Sequence, residues 1–271
     1  MLNSTHHRSG LPVPWGDLAG RRIFLTGCTG FFGCNLLEAY TRAWERFKLG
    51  GQVSVLTRDS ARFRVKAPHL AAHPGIEVLE GDLKHSDFGD SSWDFVIHAA
   101  VASGEPLDIL EGNLVAMRRV LDLAHSSRVR RVLFTSSGAV YGPEPPGLSH
   151  RDEEHGGAPP LEGSGAYGEA KRASELLGLL HDERHGHDFL IAWRFAFLGS
   201  WRPLEGNFTA GNLIGDGLVG RPIQVNGDGR PPPGPTLTPR NSPIGSGRPS
   251  REVFMDDSIT WVQVRGSPPK I

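Results

Sequence analysis

From Arg21 to about Phe197, short apolar runs alternate with amphipathic stretches, and this alternation predicts the elements of the chain. "RRIFLTG" (Arg21–Gly27) reads as a buried strand, followed by a helix from about Phe32 to Lys48. "QVSVLT" (Gln52–Thr57) is a second strand, "IEVLE" (Ile76–Glu80) a third and "WDFVIHAA" (Trp93–Ala100) a fourth. A helix from about Pro106 to His125 precedes "RVLFTSS" (Arg131–Ser137), and a helix through Tyr167 precedes "FLIAWRFAF" (Phe189–Phe197). Apolar strands alternating with helices are buried on both faces, which predicts an α/β fold: a doubly wound, Rossmann-like parallel sheet. In such sheets ligands sit beyond the carboxyl ends of the strands, where the chain order reverses. The residues that follow each strand are therefore where chemistry belongs.

Composition narrows this picture by exclusion. A chain of 271 residues is long enough for one large α/β domain, or a domain and a half, with a sizeable core. Its net charge of −1 gives no electrostatic case for nucleic acid or an anionic membrane. The two cysteines, Cys28 and Cys34, match no metal or redox spacing, which predicts a reduced, cytoplasmic chain. Residues Met1–Gly20 lack the apolar run of a signal peptide, and no stretch approaches the roughly eighteen apolar residues of a membrane helix. Neither His6-His7 nor His185/His187 has other plausible ligands nearby in sequence, so no metal is expected. No repeat period is visible.

Two motifs carry chemistry. Directly after the first strand, "LTGCTGFFGCNLLEAY" spaces Gly27, Gly30 and Gly33 as T-G-x-x-G-x-x-G. A dinucleotide site needs one glycine for the tight turn, one for close backbone approach to a pyrophosphate and one for helix–strand packing. The helix that opens there offers free N–H groups and a positive dipole end to phosphates. Further on, "SGAYGEAKRASELL" sets one of three tyrosines four residues ahead of one of five lysines. On a helix Tyr167 and Lys171 share a face. A phenol loses its proton near pH 10, and a nearby ammonium favours the phenolate, so the pair is a candidate acid/base couple.

Together these motifs resemble the NAD-dependent epimerase/dehydratase branch of the extended short-chain dehydrogenase/reductase superfamily, over about residues 20 to 229. Intermediate signposts agree: "GDL" at Gly81–Leu83, "HAA" at His98–Ala100 and "TSSGAVYG" at Thr135–Gly142. The resemblance implies that Tyr167 is the general acid/base, that Lys171 holds its proton affinity down and binds the nicotinamide ribose, and that Ser137 bonds the reacting hydroxyl or carbonyl. It also implies cofactor contacts from Thr26, Gly27, Gly30, Phe32, Gly33, Asp82, Leu83, Ala99 and Ala100. Ser136 reads equally as a strand-end turn residue, and Cys28, inside the loop, as packing. The substrate implied is a nucleotide sugar, and the resemblance leaves room for a homodimer. The cofactor is NAD or NADP: Thr57 stands where an acidic residue would grip ribose hydroxyls, and Arg58 after it favours a 2′-phosphate. A slot shifted by two onto Asp59 would favour NAD instead. The family's 4,6-dehydratases carry an acidic residue just after the catalytic Ser/Thr. Gly138 and Ala139 hold those places here and move no proton, which favours an epimerase or keto-reductase. Two other readings stay open, a cofactor-binding remnant without catalysis and a reductase of a non-sugar carbonyl.

The chain also departs from the family pattern. Trp193 fills the place of an arginine that stands six residues before Gly-Pro; Arg194 comes one later, and Gly199-Ser200 replaces Gly-Pro. "GNFTAGNLIGDGLVGRPIQVNGDGRP" resembles the start of a substrate domain, with Asn212 aligned to an asparagine that contacts the nucleotide diphosphate in epimerases. Beyond it, Pro233 stands about where a phosphate-binding arginine belongs. The remainder, rich in Pro, Gly, Arg and Ser, predicts an irregular tail, an abrupt change of the kind a shifted reading frame or a truncation would produce. The expected organisation is an extension over 1–20, a dinucleotide-binding domain with the catalytic residues over 21–198, a partial substrate domain over 199–229 and the tail over 230–271.

Overall fold

A computed structural model of the chain describes residues 14–88, 91–143, 157–194, 200–204, 209–222 and 262–266. Seven strands form one sheet: β1 (Arg22–Thr26), β2 (Gln52–Thr57), β3 (Ile76–Glu80), β4 (Phe95–His98), β5 (Arg131–Thr135), β6 (Asp188–Arg194) and β7 (Val262–Gly266). Their order is β3-β2-β1-β4-β5-β6-β7, and every pair is parallel except β6–β7. From β1 the chain crosses to β2 on one side and later returns to β4 on the other. The crevice between β1 and β4 is therefore the switch point.

Helices α1 (Phe31–Phe47), α2 (Ser60–Lys66), α3 (Pro68–Ala71), α4 (Pro106–Ser126), α5 (Ala166–His185) and α6 (Thr209–Leu218) connect the strands. In β1, Ile23 and Leu25 join a cluster with Leu37 and Tyr40 of α1, while Phe24 joins Met117 and Leu121 of α4 on the opposite side. This is the period-two alternation of a strand with both faces covered. α1 leaves the sheet through Lys48, which takes the left-handed conformation (φ 53°). A capping box between Glu105 and Asp108, with Pro106 in the first turn, starts α4. At Gly178 a Cβ would run into the ring of Phe189, so only glycine lets α5 lie this close to β6.

Three features differ from the expectation. The predicted fourth strand is shorter, because Trp93 packs on Phe24 (ring centroids 4.7 Å apart) and donates to Ser54 Oγ at 3.1 Å. At its other end Ala99 and Ala100 turn their N–H groups onto Thr26. The short helices α2 and α3 follow Asp59, which caps α2 by accepting from the Arg62 N–H at 2.7 Å. Within the predicted irregular tail, Val262–Gly266 forms β7, antiparallel to β6 at the end of the strand order. Its "VQVRG" alternates β-branched and polar residues, a strand signal that the surrounding Pro and Gly obscure. The remainder of 230–271 and residues 1–13 of the extension lie outside the described residues. Trp15 and Leu18, in the extension, pack against the core.

The fold also assembles histidines that are scattered in sequence. At the far ends of α4 and α5, His125 lies 4.2 Å and His181 4.3 Å from His185, ring to ring. His181 Nδ1 is 3.4 Å from His187 Nε2. His185 and His187 thus do have neighbouring imidazoles: His181 stands one helical turn before His185 and six residues before His187, and only His125 comes from a distant segment. Among the described residues no group of three or more His, Cys, Asp or Glu side chains could hold a metal ion. Burial, and then His187 and His185, depress the His181 value from 6.5 to about 4; Arg118 acts in the same sense and Asp122 against it. A depressed value means that the unfolded chain takes up protons first as pH falls. The contribution of His181 is complete above about pH 6.5 and is lost as pH falls through about 4. Urea midpoints measured from pH 7 to 4.5 should therefore decline more steeply in the parent than in His181→Gln. Equal slopes would remove His181 as a source of acid sensitivity.

Candidate functional site

The carboxyl ends of β1, β4 and β5 meet the first turns of α1 and α5, and every group described below lies there. At the end of β1, Gly27 adopts a left-handed φ of 73°, and a Cβ on it would stand 2.5 Å from the Ala100 nitrogen. At Gly33 a Cβ would run into the Gly27 carbonyl oxygen. The loop is thus pressed between β4 and its own helix, a fit only glycine allows. Gly30, the N-cap of α1, makes no side-chain cap hydrogen bond. Such a helix end accepts an anion. Cys28, within the loop, is fully buried, donates weakly to the Leu56 carbonyl and is pushed up to about 12 mainly by burial. It is packing, as expected.

Thr26 Oγ1 lies 2.7 Å from His98 Nδ1 and accepts from the Ala100 N–H at 3.2 Å. His98 is buried, and burial first, then the charge of Lys171, takes it down to about 3. Thr135 Oγ1 donates to the His98 carbonyl at 3.1 Å, and the Thr135 carbonyl accepts from Lys171 Nζ at 2.9 Å. Lys171 has no exposed surface, its ammonium lies 5.9 Å from the centre of the Tyr167 ring, and it faces Phe134 at 4.6 Å. Burial, reinforced by Arg194 and opposed by Glu175, brings its value down from 10.5 to about 7. Tyr167 and Lys171 do share a face of α5, and the structure brings them to the end of β5.

Ser137 starts a turn of 3₁₀ helix, Gly138–Tyr141, its hydroxyl accepting from the Ala139 N–H at 3.2 Å. A Cβ at Gly168 would come within 2.6 Å of the Ala139 carbonyl oxygen, so that turn packs directly on the first turn of α5 beside Tyr167. Ser136 is fully buried, and its hydroxyl donates to Glu175, which also accepts from Trp193 Nε1 at 2.8 Å. Burial pushes the Glu175 carboxyl up. Glu175 was missed in the sequence, although it continues the Tyr167–Lys171 face one turn on. Arg194 was also missed as a site residue: its Nε donates to the Ser136 carbonyl at 3.2 Å, and its guanidinium lies 5.0 Å from the centre of the Phe32 ring.

A model of the NAD dependent epimerase/dehydratase family matches residues 23–232, most of the chain. The chain belongs to this family. Among the similar proteins is a dTDP-glucose 4,6-dehydratase of Streptomyces niveus, 28% identical over 182 residues, 63% of this chain and 52% of that one. The chain spans about half the length of the curated relatives it matches. A crystal structure of UDP-galactose 4-epimerase aligns at 27% identity with a TM-score of 0.55, covering 72% of this chain and 62% of that one. A UDP-glucuronic acid 4-epimerase from Bacillus cereus, in complex with NAD, shares the fold at 20% identity and a TM-score of 0.62, over 77% and 67% of the two chains.

Phe32, Leu83 and Ala99 are buried, and Ala100 is half-buried. Around β2, Thr57 is buried, its hydroxyl donating to the Asp59 carbonyl, while Arg58 is exposed. Asp82 accepts from the Lys84 and His85 N–H groups at 2.7 and 3.0 Å, and the His85 side chain holds its carboxyl below the usual value. It is therefore engaged within its own loop. Asn212 lies on α6, and its side chain is outside the described ones. No helix among the described residues is long and apolar enough to cross a membrane.

The loop geometry predicts a specific failure. Gly33→Ala must displace the Gly27 carbonyl and should cost about 1–3 kcal/mol of stability. Because the displaced atoms form the loop, dinucleotide affinity should fall at least tenfold more than in Gly30→Ala, where the nearest atom to a Cβ is 3.3 Å away. Calorimetry of both variants with NADH and NADPH checks this, and equal affinities would show that the loop is not the site.

Proposed function

We propose that the chain is an NAD(P)-dependent epimerase or keto-reductase of a nucleotide sugar, with Tyr167 as general acid/base, Lys171 as its partner and Ser137 as the donor to the reacting oxygen. The observation that carries this reading is the Tyr167–Lys171 pair at the carboxyl end of β5, joined by hydrogen bonds to the strand that ends in the glycine loop. The residues fit a dinucleotide: a glycine loop with no room for side chains leads into an uncapped helix N-terminus at the switch point. Gly27, Gly30, Phe32 and Gly33 would hold the pyrophosphate, Asp82 and Leu83 the adenine side, and Thr26, Ala99, Ala100, Tyr167 and Lys171 the nicotinamide side. When bound, the cofactor accepts and returns a hydride.

The chain's own part is proton management. The phenolate of Tyr167 takes the proton of a sugar hydroxyl as that carbon is oxidised, and the phenol so formed returns it on reduction. Ser137, at the mouth of the 3₁₀ turn, orients the same oxygen. Lys171 keeps positive charge beneath the tyrosine and reaches the ribose. Gly138 and Ala139 follow Ser137 with no group able to move a proton, which favours epimerisation or reduction over loss of water. Asn212, on α6, is the proposed contact to the nucleotide diphosphate.

NADP is the preferred cofactor in this reading. Thr57 offers a hydroxyl where a carboxylate would accept from the ribose, Asp59 is occupied in capping α2, and the exposed Arg58 stands ready for a 2′-phosphate. Calorimetry should find NADPH bound more tightly than NADH, with Arg58→Ala narrowing the gap. Equal affinities in the parent would end the NADP assignment and leave the fold untouched.

The acid/base assignment has its own test. Tyr167→Phe should leave cofactor affinity nearly intact and lower turnover of a nucleotide sugar by roughly two to four orders of magnitude. Lys171→Ala should damage both. Unchanged turnover in Tyr167→Phe would return this helix to an ordinary packing role.

A further inference from the structure

The helix α2 is anchored by its apolar face and ends abruptly. Phe63 and Ala67, one turn apart, are buried in the cluster that holds Leu37 and Tyr40 of α1, and Pro68 cannot continue the helix. Ala67 leaves the helical region (φ −138°, ψ 64°), as a residue before proline does. A helix of 7 residues rises only about 10 Å, too short to run back along the sheet. Its last residue, Lys66, therefore still lies beside the glycine loop. The Lys66 ammonium donates to the Thr29 carbonyl at 2.6 Å and stands 5.9 Å from the centre of the Trp201 ring, which in turn stacks on His69. A carbonyl and an indole face together hold the charge in place.

We propose that Lys66 is a specificity-determining residue of the dinucleotide site, its ammonium binding the 2′-phosphate of NADP together with Arg58. The inference rests on the reading of the glycine loop as that site and of Arg58 as a phosphate contact, and adds to them a residue that no motif contains. Position is the first argument. Cys28 Sγ donates to the Leu56 carbonyl at 3.4 Å, so the loop lies over the end of β2, and Thr29 is the next residue. A pyrophosphate belongs at the first turn of α1 and the adenosine ribose toward the end of β2. Arg58 is the first residue beyond β2, so Arg58 and Lys66 flank the gap between strand and loop.

Charge is the second argument. Among the described residues no carboxylate pairs with the Lys66 ammonium. Glu38 is paired with His69 at 2.7 Å, Asp59 accepts from the Arg62 N–H, and Glu80 accepts from Ser60, to which Arg64 also donates. A carbonyl engages one of three ammonium protons and neutralises none of the charge, which leaves two donors for phosphate oxygens. The lysine is exposed, so a phosphate reaches it without disturbing the core.

The test measures NADPH and NADH binding by calorimetry in the full chain, with the parent beside Lys66→Met, Lys66→Arg and the double variant Lys66→Met, Arg58→Ala. Lys66→Met should weaken NADPH roughly tenfold and leave NADH within about twofold, because NADH has no phosphate at that ribose. Lys66→Arg should restore most of the NADPH affinity. In the double variant the two cofactors should bind within about twofold of each other. Equal losses for NADPH and NADH in Lys66→Met would mean that the lysine only positions the loop or meets the pyrophosphate, and overturn the proposal. A parent that prefers NADPH and loses nothing in Lys66→Met rejects Lys66 alone. A parent that binds both cofactors alike, or neither, rejects the cofactor reading on which the proposal rests.

Discussion

A line of hydrogen bonds crosses the sheet at its carboxyl edge and holds the site together: Thr26 to His98, His98 carbonyl to Thr135, Thr135 carbonyl to Lys171. It joins β1, β4, β5 and α5 exactly once each, and every member is buried. In so apolar a setting an unmatched donor costs more than the bond itself is worth, so removing any one member strands its neighbours. The glycine loop leans on this line, because Gly27 packs against Ala99 and Ala100, whose N–H groups both turn onto Thr26. The position of the Tyr167–Lys171 helix relative to the loop is therefore set by polar bonds across strands, with the two apolar clusters supplying the bulk of the packing on either face.

Much of this was legible in the sequence. Six parallel strands and the three long helices follow from apolar periodicity, which is strong where both faces of a strand are covered. The loop was legible because glycine spacing encodes a steric requirement, and the Tyr167–Lys171 face because i and i+4 positions must coincide on a helix. What escaped depended on contacts between distant segments. His125 of α4 looks isolated along the chain and meets His185 only because α4 and α5 end side by side, whereas His181 stands four residues before His185 on one helix. β7 hides among proline and glycine, and its pairing with β6 is a tertiary fact that no local pattern of five residues can announce. Glu175 was readable from helical spacing, yet its partners Ser136 and Trp193 come from β5 and β6.

The end of β6 shows how a one-residue offset changes a site. Consecutive strand residues point to opposite faces, so Trp193 and Arg194 reach different neighbours from adjacent positions. With an indole rather than a cation against it, the Glu175 carboxyl is held by neutral donors and sits above its usual value. The positive charge that the offset moves to the other face arrives beside Phe32 instead. Adjacent positions of one strand thus send an indole and a guanidinium to different partners in the site.

His98 has a consequence of a different kind. Imidazole is the side chain whose charge ordinarily changes across the range in which cells operate. Here burial keeps the ring uncharged down to about pH 3, locked to Thr26 at the crevice between β1 and β4. The wall of the cleft therefore presents the same dipoles in acid and in neutral solution. A histidine in this place is an electrically silent spacer, and a chemist modifying histidines with an acylating reagent would find this one protected while the exposed His125 and His185 reacted.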